Sequence, residues 1–123
     1  MAASPMATAT RSVFERLAID SIPWEPYRDR EGREQDGVQQ KTVFMVGGGK
    51  GYTGLFRLQP GAELPVHVHR TFEHHAWVVE GGCVAGDHYL RAGSYEYVPA
   101  GAEHGIDRAG PEGCTLFCLM LRA

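Results

Sequence analysis

Apolar residues along this 123-residue chain recur with a period near two rather than 3.6, in short runs cut by glycine and proline. That pattern predicts strands over 22–27, 38–46, 53–58, 64–70, 75–80, 83–85, 88–90, 94–98, 104–107 and 115–121. Only Val13, Phe14, Leu17 and Ala18 recur at helical spacing, which predicts one short N-terminal turn. Many short strands with turn signals between them predict an all-β sandwich or small barrel. The run RDREGREQDG at 28–37 is charged and holds two glycines, so it is expected as a solvated loop. The run GGGKGYT at 47–53 lacks the spacing of a phosphate loop, because Phe44 stands where the first glycine is needed and Gly51 follows Lys50. It is expected as a hairpin turn.

Composition narrows this picture. The length suits one domain, expected as a tail over 1–12 followed by a single barrel over 13–123. The 16 glycines and 7 prolines are the material of turns. A net charge of −3 disfavours nucleic acid as a partner, since its phosphates are held by clustered Lys and Arg. No apolar run has the length of a membrane span. Three cysteines, Cys83, Cys114 and Cys118, form no CxxC pair, which fits a reducing, cytoplasmic setting. Cys114 and Cys118 are four apart in one predicted strand, about 13 Å, too far to bridge. The opening MAASPMATAT has no cationic start and no signal-length apolar core, and its Ala/Thr bias with Arg11 leaves only a weak transit-peptide reading.

All six histidines lie beyond residue 66. His67 and His69 are two apart, so in a strand they share a face, about 7 Å from each other along the chain. His74, His75 and His104 follow, and of the adjacent pair only one can face inward. A lone histidine is ordinarily a satisfied core or surface residue. Several at patterned spacings are the ligand set for a borderline divalent ion such as Fe, Zn, Ni or Mn.

These residues resemble the cupin superfamily. Its first motif, G-x5-HxH-x3–4-E-x6-G, is matched by Gly61, His67, His69, position 74 and Gly81. Its second, G-x5-PxG-x2-H-x3-N, is matched by Gly93, Pro99, Gly101 and His104, with Arg108 in place of the final Asn. The resemblance implies a jelly-roll barrel, the double-stranded β-helix, with one divalent metal ion inside held by His67, His69, His74 and His104. Under the shorter spacing Glu73 replaces His74 as the fourth ligand. His75 is expected on the opposite face, and His88 is expected to be structural.

The stretches WEPY, LFRLQPGAELPVHVH, EYVPAGAEH and GCTLFCLML look most like the ChrR-like subgroup. The zinc-binding namesakes of that subgroup bind a sigma factor through a separate N-terminal module, which does not match here. Similar small cupins with three-His iron sites are dioxygenases. The implied activity is a non-haem metal oxygenase acting on a small enolisable or hydroxyketone substrate. The alternatives are a non-redox isomerase, cyclase or lyase, or a zinc-binding sensor without turnover. Glu73 borders the ligands, and Tyr95 and Tyr97 share a face, so these three are the candidate catalytic residues, with Phe117 and Leu119 sharing a face on the last strand. Arg57 and Arg70 are candidates to orient an anionic substrate. The edge element at 22–27, with Trp24 between two prolines, suggests a homodimer; the competing picture folds Trp24 onto its own sheet.

Overall fold

A computed structural model describes residues 18–123 together with the backbone of Thr8–Ala9. The described strands are β1 (Thr8–Ala9), β2 (Glu25–Arg28), β3 (Glu34–Val46), β4 (Gly51–Leu58), β5 (Leu64–Val68), β6 (Phe72–Ala85), β7 (His88–Arg91), β8 (Tyr95–Val98), β9 (Glu103–Ile106) and β10 (Arg108–Arg122). The larger sheet runs β1-β3-β4-β10-β6-β7, with β2 added to β3 and β8 to β6; β5 and β9 pair separately as a smaller sheet. This is the expected all-β jelly roll, and the interior lies between the two sheets.

Alternation makes the interior apolar. Along β10, Cys114, Leu116, Cys118 and Met120 are buried while Thr115, Phe117, Leu119 and Leu121 are half-buried on the other face. Cross-strand register carries the pattern sideways: Leu116 opposes Phe56 and Val78, and Cys118 opposes Gly54 and Ala76. Val38, Leu58, Cys83, Ile106 and Ala109 complete the core. Each Val or Leu removed from water there contributes about 1.5–3 kcal/mol.

The hairpin turn expected at 47–53 is present as a tight turn over Gly47–Gly49 joining the antiparallel β3 and β4. Two other features differ from the sequence reading, and Trp24 follows the second of its two expected pictures. The separate strands expected at 75–80 and 83–85 are one strand, β6, which passes through Gly81 and Gly82 where β10 shifts register opposite them. The charged loop is half strand: β2 and β3 form a hairpin closed by Arg28–Glu34 (2.7 Å) and Asp29–Arg33 (3.0 Å). Opposite charges at matched hairpin positions hold a turn that composition alone marks as solvated. Finally, Trp24 lies on its own sheet, its ring under the Lys41 ammonium (4.5 Å) and the Arg57 guanidinium (4.2 Å). Lys41 is buried and donates to the carbonyls of Ile19 and Ile22, which pins the chain before β2. The tail and the helical turn expected before Ala18 lie outside the described residues, apart from β1, which pairs in parallel with Met45–Val46. No helix among the described residues is long and apolar enough to cross a membrane.

Candidate metal centre and its cavity

Four of the six histidines meet inside the barrel. His67 on β5 stands directly opposite His104 on β9, ring centroids 4.3 Å apart. His69 follows two residues after His67 on the same face, 4.9 Å from His67 and 5.1 Å from His104. Its backbone is fixed by the second motif: Gly101 N–H donates to the His69 carbonyl at 2.8 Å, tying the Pro99–Gly101 turn to the histidine strand. His74 enters from β6 in the facing sheet, 4.8 Å from His104 and 5.4 Å from His69.

The ligand atoms of His67, His69 and His104 lie within 4.8 Å of one another, close enough for one ion to be held by all three after small side-chain rotations. His74 flanks this trio and falls just outside it. His67 Nδ1 is 2.9 Å from the Pro65 carbonyl, so the proton sits on Nδ1 and the Nε2 lone pair is left to face the other rings. Both ring nitrogens of His74 and Nε2 of His104 are buried with no hydrogen-bond partner. Buried polar atoms are nearly always satisfied, and orphans of this kind in a histidine cluster fit a cation.

Electrostatics agrees. Burial, then the neighbouring imidazoles, lowers His74 to about 4 and His104 to about 3, and His69 is lowered by the same causes with Arg30 adding to them. His69, His74 and His104 are therefore held in the neutral form near pH 7, the form in which imidazole binds metals. One consequence is measurable without metal. Unfolded histidines take up protons near pH 6.5, but these folded ones resist until about 4 and 3. The unfolded state thus binds more protons below pH 6.5, and the metal-free protein loses stability as pH falls from there towards 4. We expect a loss of roughly 1 kcal/mol per pH unit from His74, less from the more exposed His104, read as a falling denaturant midpoint between pH 7 and pH 5. A midpoint unchanged over that range contradicts the buried, neutral cluster.

The histidines form one end of a cavity of about 220 Å³, smaller than the roughly 300–1,000 Å³ of drug-sized pockets. Its walls are mainly apolar, with Phe56, Leu64, Val78, Leu90, Ile106 and Leu116 among them. A charged cleft of about 440 Å³ adjoins the same end, between the β2–β3 turn and His67 and His69. There Arg30 donates to the Val68 carbonyl (3.3 Å) and places a positive charge beside His69.

The candidate catalytic residues do come together, but elsewhere. Register puts His75 opposite Tyr97 and Trp77 opposite Tyr95, all on the outer face of the large sheet. Tyr95 and Tyr97 are about half exposed and line no part of the cavity. Phe117 and Leu119 lie on the same outer face, opposite Trp77 and His75. Glu73 turns outward too, for a visible reason: it accepts from His75 Nε2 (3.0 Å) and from the Tyr97 hydroxyl (3.4 Å), while the Tyr95 hydroxyl donates to His75 Nδ1. The structure thus corrects the placement of Glu73, Tyr95 and Tyr97, and it is His74, not Glu73, that enters the cavity. Arg57 is likewise outside, held to Gln39 Oε1 (2.6 Å) against the Trp24 ring, and Arg70 is exposed.

Two residues that sequence reasoning passed over take the positions these were expected to fill. Arg30 lies at the charged cleft, brought there by a turn that its composition does not foretell. Glu96 lies inside the cavity, opposite Ala76. Its signal was available: alternation that sets Tyr95 and Tyr97 on one face sets Glu96 on the other.

A jelly-roll barrel that gathers HxH, a third histidine and a fourth from the facing strand into its interior is a cupin, and three of those histidines form a possible metal site. Within that class, the family model of the ChrR cupin-like domain matches residues 15–121, and the chain belongs to that family. Solved structures with the same fold include an RmlC-like cupin from Shewanella frigidimarina (24% identity, 85% of this chain and 86% of that one, TM-score 0.67). The polyketide cyclase RemF from Streptomyces resistomycificus is also similar (21% identity, 89% and 80%, TM-score 0.70). So is the Rhodobacter sphaeroides complex of SigE with the anti-sigma ChrR (20% identity, 83% and 51%, TM-score 0.64). No curated protein sequence matches significantly.

Proposed function

We propose that this cupin is a metal-dependent enzyme that takes a small enolisable ketone or hydroxyketone and, with iron, adds dioxygen to it. The observation that carries the reading is a cluster of histidines at the end of a small, mainly apolar cavity, with no carboxylate in the trio of His67, His69 and His104. Those three residues would hold one divalent ion, Fe, Zn, Ni or Mn, with His74 as the fourth donor. Such an ion supplies a Lewis acid that stabilises an enolate and, as iron, an electron relay to oxygen.

The chain's own residues do the rest. With neutral donors only, the protein leaves the centre's positive charge for an anionic ligand to balance, which favours an enolate over a neutral ketone. The Pro65 carbonyl fixes the tautomer and orientation of His67. Apolar walls exclude water from the reacting end, where electrostatic stabilisation is then strongest. Arg30, beside His69 at the charged cleft, draws an anion towards the mouth. Glu73, Tyr95 and Tyr97 have no part in this reading, because their side chains face away from the cavity.

Non-redox work at the same centre is the second reading, supported by the half-buried carboxyl of Glu96 as a proton-handling group in the cavity. Elemental analysis of the purified protein and oxygen uptake after iron loading, with a β-diketone and with a hydroxyketone, test the two together. Oxygen consumption with either substrate supports the oxygenase. Full zinc occupancy with no uptake moves the assignment to isomerase, cyclase or lyase chemistry, or to a sensor. No retained metal of any kind overturns both.

A further inference from the structure

Glu96 is out of place in the wall it belongs to. It comes from the short strand β8, whose two neighbouring side chains, Tyr95 and Tyr97, point to solvent, and alternation turns Glu96 inward. There it opposes Ala76 on β6 and lines the same cavity as the histidines. Ala76 is two residues beyond His74 on the same face, so Glu96 stands about 7 Å along the strands from the metal end. Cys118 and Cys83 lie near it, and besides the histidines the cavity's other polar side chains are Ser94, Gln40, Tyr27 and Tyr52, none of which, among the described residues, hydrogen-bonds its carboxyl. No Lys or Arg lines the cavity.

A carboxyl in such a wall costs stability unless something hydrogen-bonds it, and an Ala or Leu there would pack at no such cost. Burial raises its pKa from the ordinary glutamate value. Its carboxyl is open to the cavity, so a ligand that fills the cavity reaches it. We infer that Glu96 determines specificity: it accepts a hydrogen bond from a hydroxyl at the far end of the substrate, about 7 Å from the oxygen that the histidine end engages. The inference rests on the proposed metal-centre reading and adds a second fixed point to it. A ligand must then carry an anionic or enolisable head, an apolar middle and a hydroxyl tail. Neither protonation form of Glu96 is required, since both accept from a hydroxyl.

Two chelating probes isolate the second point: benzohydroxamate, which has the head and the apolar ring alone, and 4-hydroxybenzohydroxamate, which adds a hydroxyl at the far end. Calorimetric titration of the metal-loaded protein is expected to show the hydroxylated probe bound about tenfold more tightly, the scale of one buried hydrogen bond. Glu96→Ala abolishes that preference while benzohydroxamate binds as before, and the near-isosteric Glu96→Gln retains part of it. Because the readout is a ratio of two ligands on one protein, a general loss of stability does not imitate it. Equal affinities in the wild type, or a preference that survives in Glu96→Ala, overturn the inference and leave the metal centre standing. Binding of neither probe to the metal-loaded wild type overturns the metal-centre reading and this inference with it.

Discussion

Replacing His69 by Ala is expected to abolish metal binding by the purified protein, and replacing His75 by Ala is expected to preserve it. His69 sits in the trio whose ligand atoms lie within 4.8 Å, and its neighbours His67 and His104 cannot close around an ion alone with comparable strength. Disturbing only a partner of a ligand costs roughly 10–100-fold in affinity, so removing one of three direct donors is expected to cost more than about 100-fold. His75, one residue from His74, belongs to the opposite face and is held by Glu73 and Tyr95. Its loss unties Glu73 and the two tyrosines without touching the cavity. Metal content by elemental analysis and affinity by equilibrium dialysis read both variants. If the two behave alike, the assignment of faces on β6 is wrong.

Gly81→Ala is expected to be the most disruptive single-methyl change in the barrel. Gly81 has φ +68, and an added Cβ would lie 2.0 Å from the backbone carbonyl oxygen of Gly113. Gly113 is itself at positive φ at the point where β10 shifts register against β6, so two backbones pass where no side chain fits. Left-handed backbone costs an ordinary residue about 1–2 kcal/mol. A clash with a main-chain atom has no cheap escape, so the total loss is expected to exceed about 3 kcal/mol. Gly61→Ala is the control, because Gly61 has φ +77 but nothing within 4 Å of its Cβ position. It is expected to lose only the conformational part, about 1 kcal/mol. Urea midpoints of the two variants measure the difference, and equal losses would show that the contact at Gly113 is not what requires glycine at 81.

The two glycines belong to one sequence motif and look equivalent in it. One is required by local dihedral angles alone, the other also by a strand more than 30 residues away. The same division runs through the site. Both HxH histidines and His104 were legible, because a two-residue spacing fixes a common face and the Pro99–Gly101 turn announces a new strand. The motif put His74 inside and His75 outside, with Glu73 as the alternative, but nothing chose between Glu96 and its tyrosine neighbours. Alternation says only that neighbours part company. Choosing between them takes the register of β6 against β8 and β10, which puts Ala76, Cys118 and Met120 on the side of His74.

The charged hairpin makes the same point beside the site. RDREGREQDG reads as solvated because nothing in it is apolar, and most of its side chains are exposed. Its effect comes from where Arg30 ends, against Val68 and beside His69, and that position depends on β2 pairing with β3 and on the Asp29–Arg33 and Arg28–Glu34 pairs.

By itself the sequence determined the all-β class, the positions of most turns and the histidines of the metal trio, because period-two alternation, glycine and proline geometry and ligand spacing are local properties of the chain. Only the tertiary structure decided the rest. It set Glu73, Tyr95 and Tyr97 outside, brought Glu96 inside, and folded Trp24 onto its own sheet. The reason is physical: a strand has two equivalent faces, and which of them becomes the interior is settled by the neighbour that pairs with it.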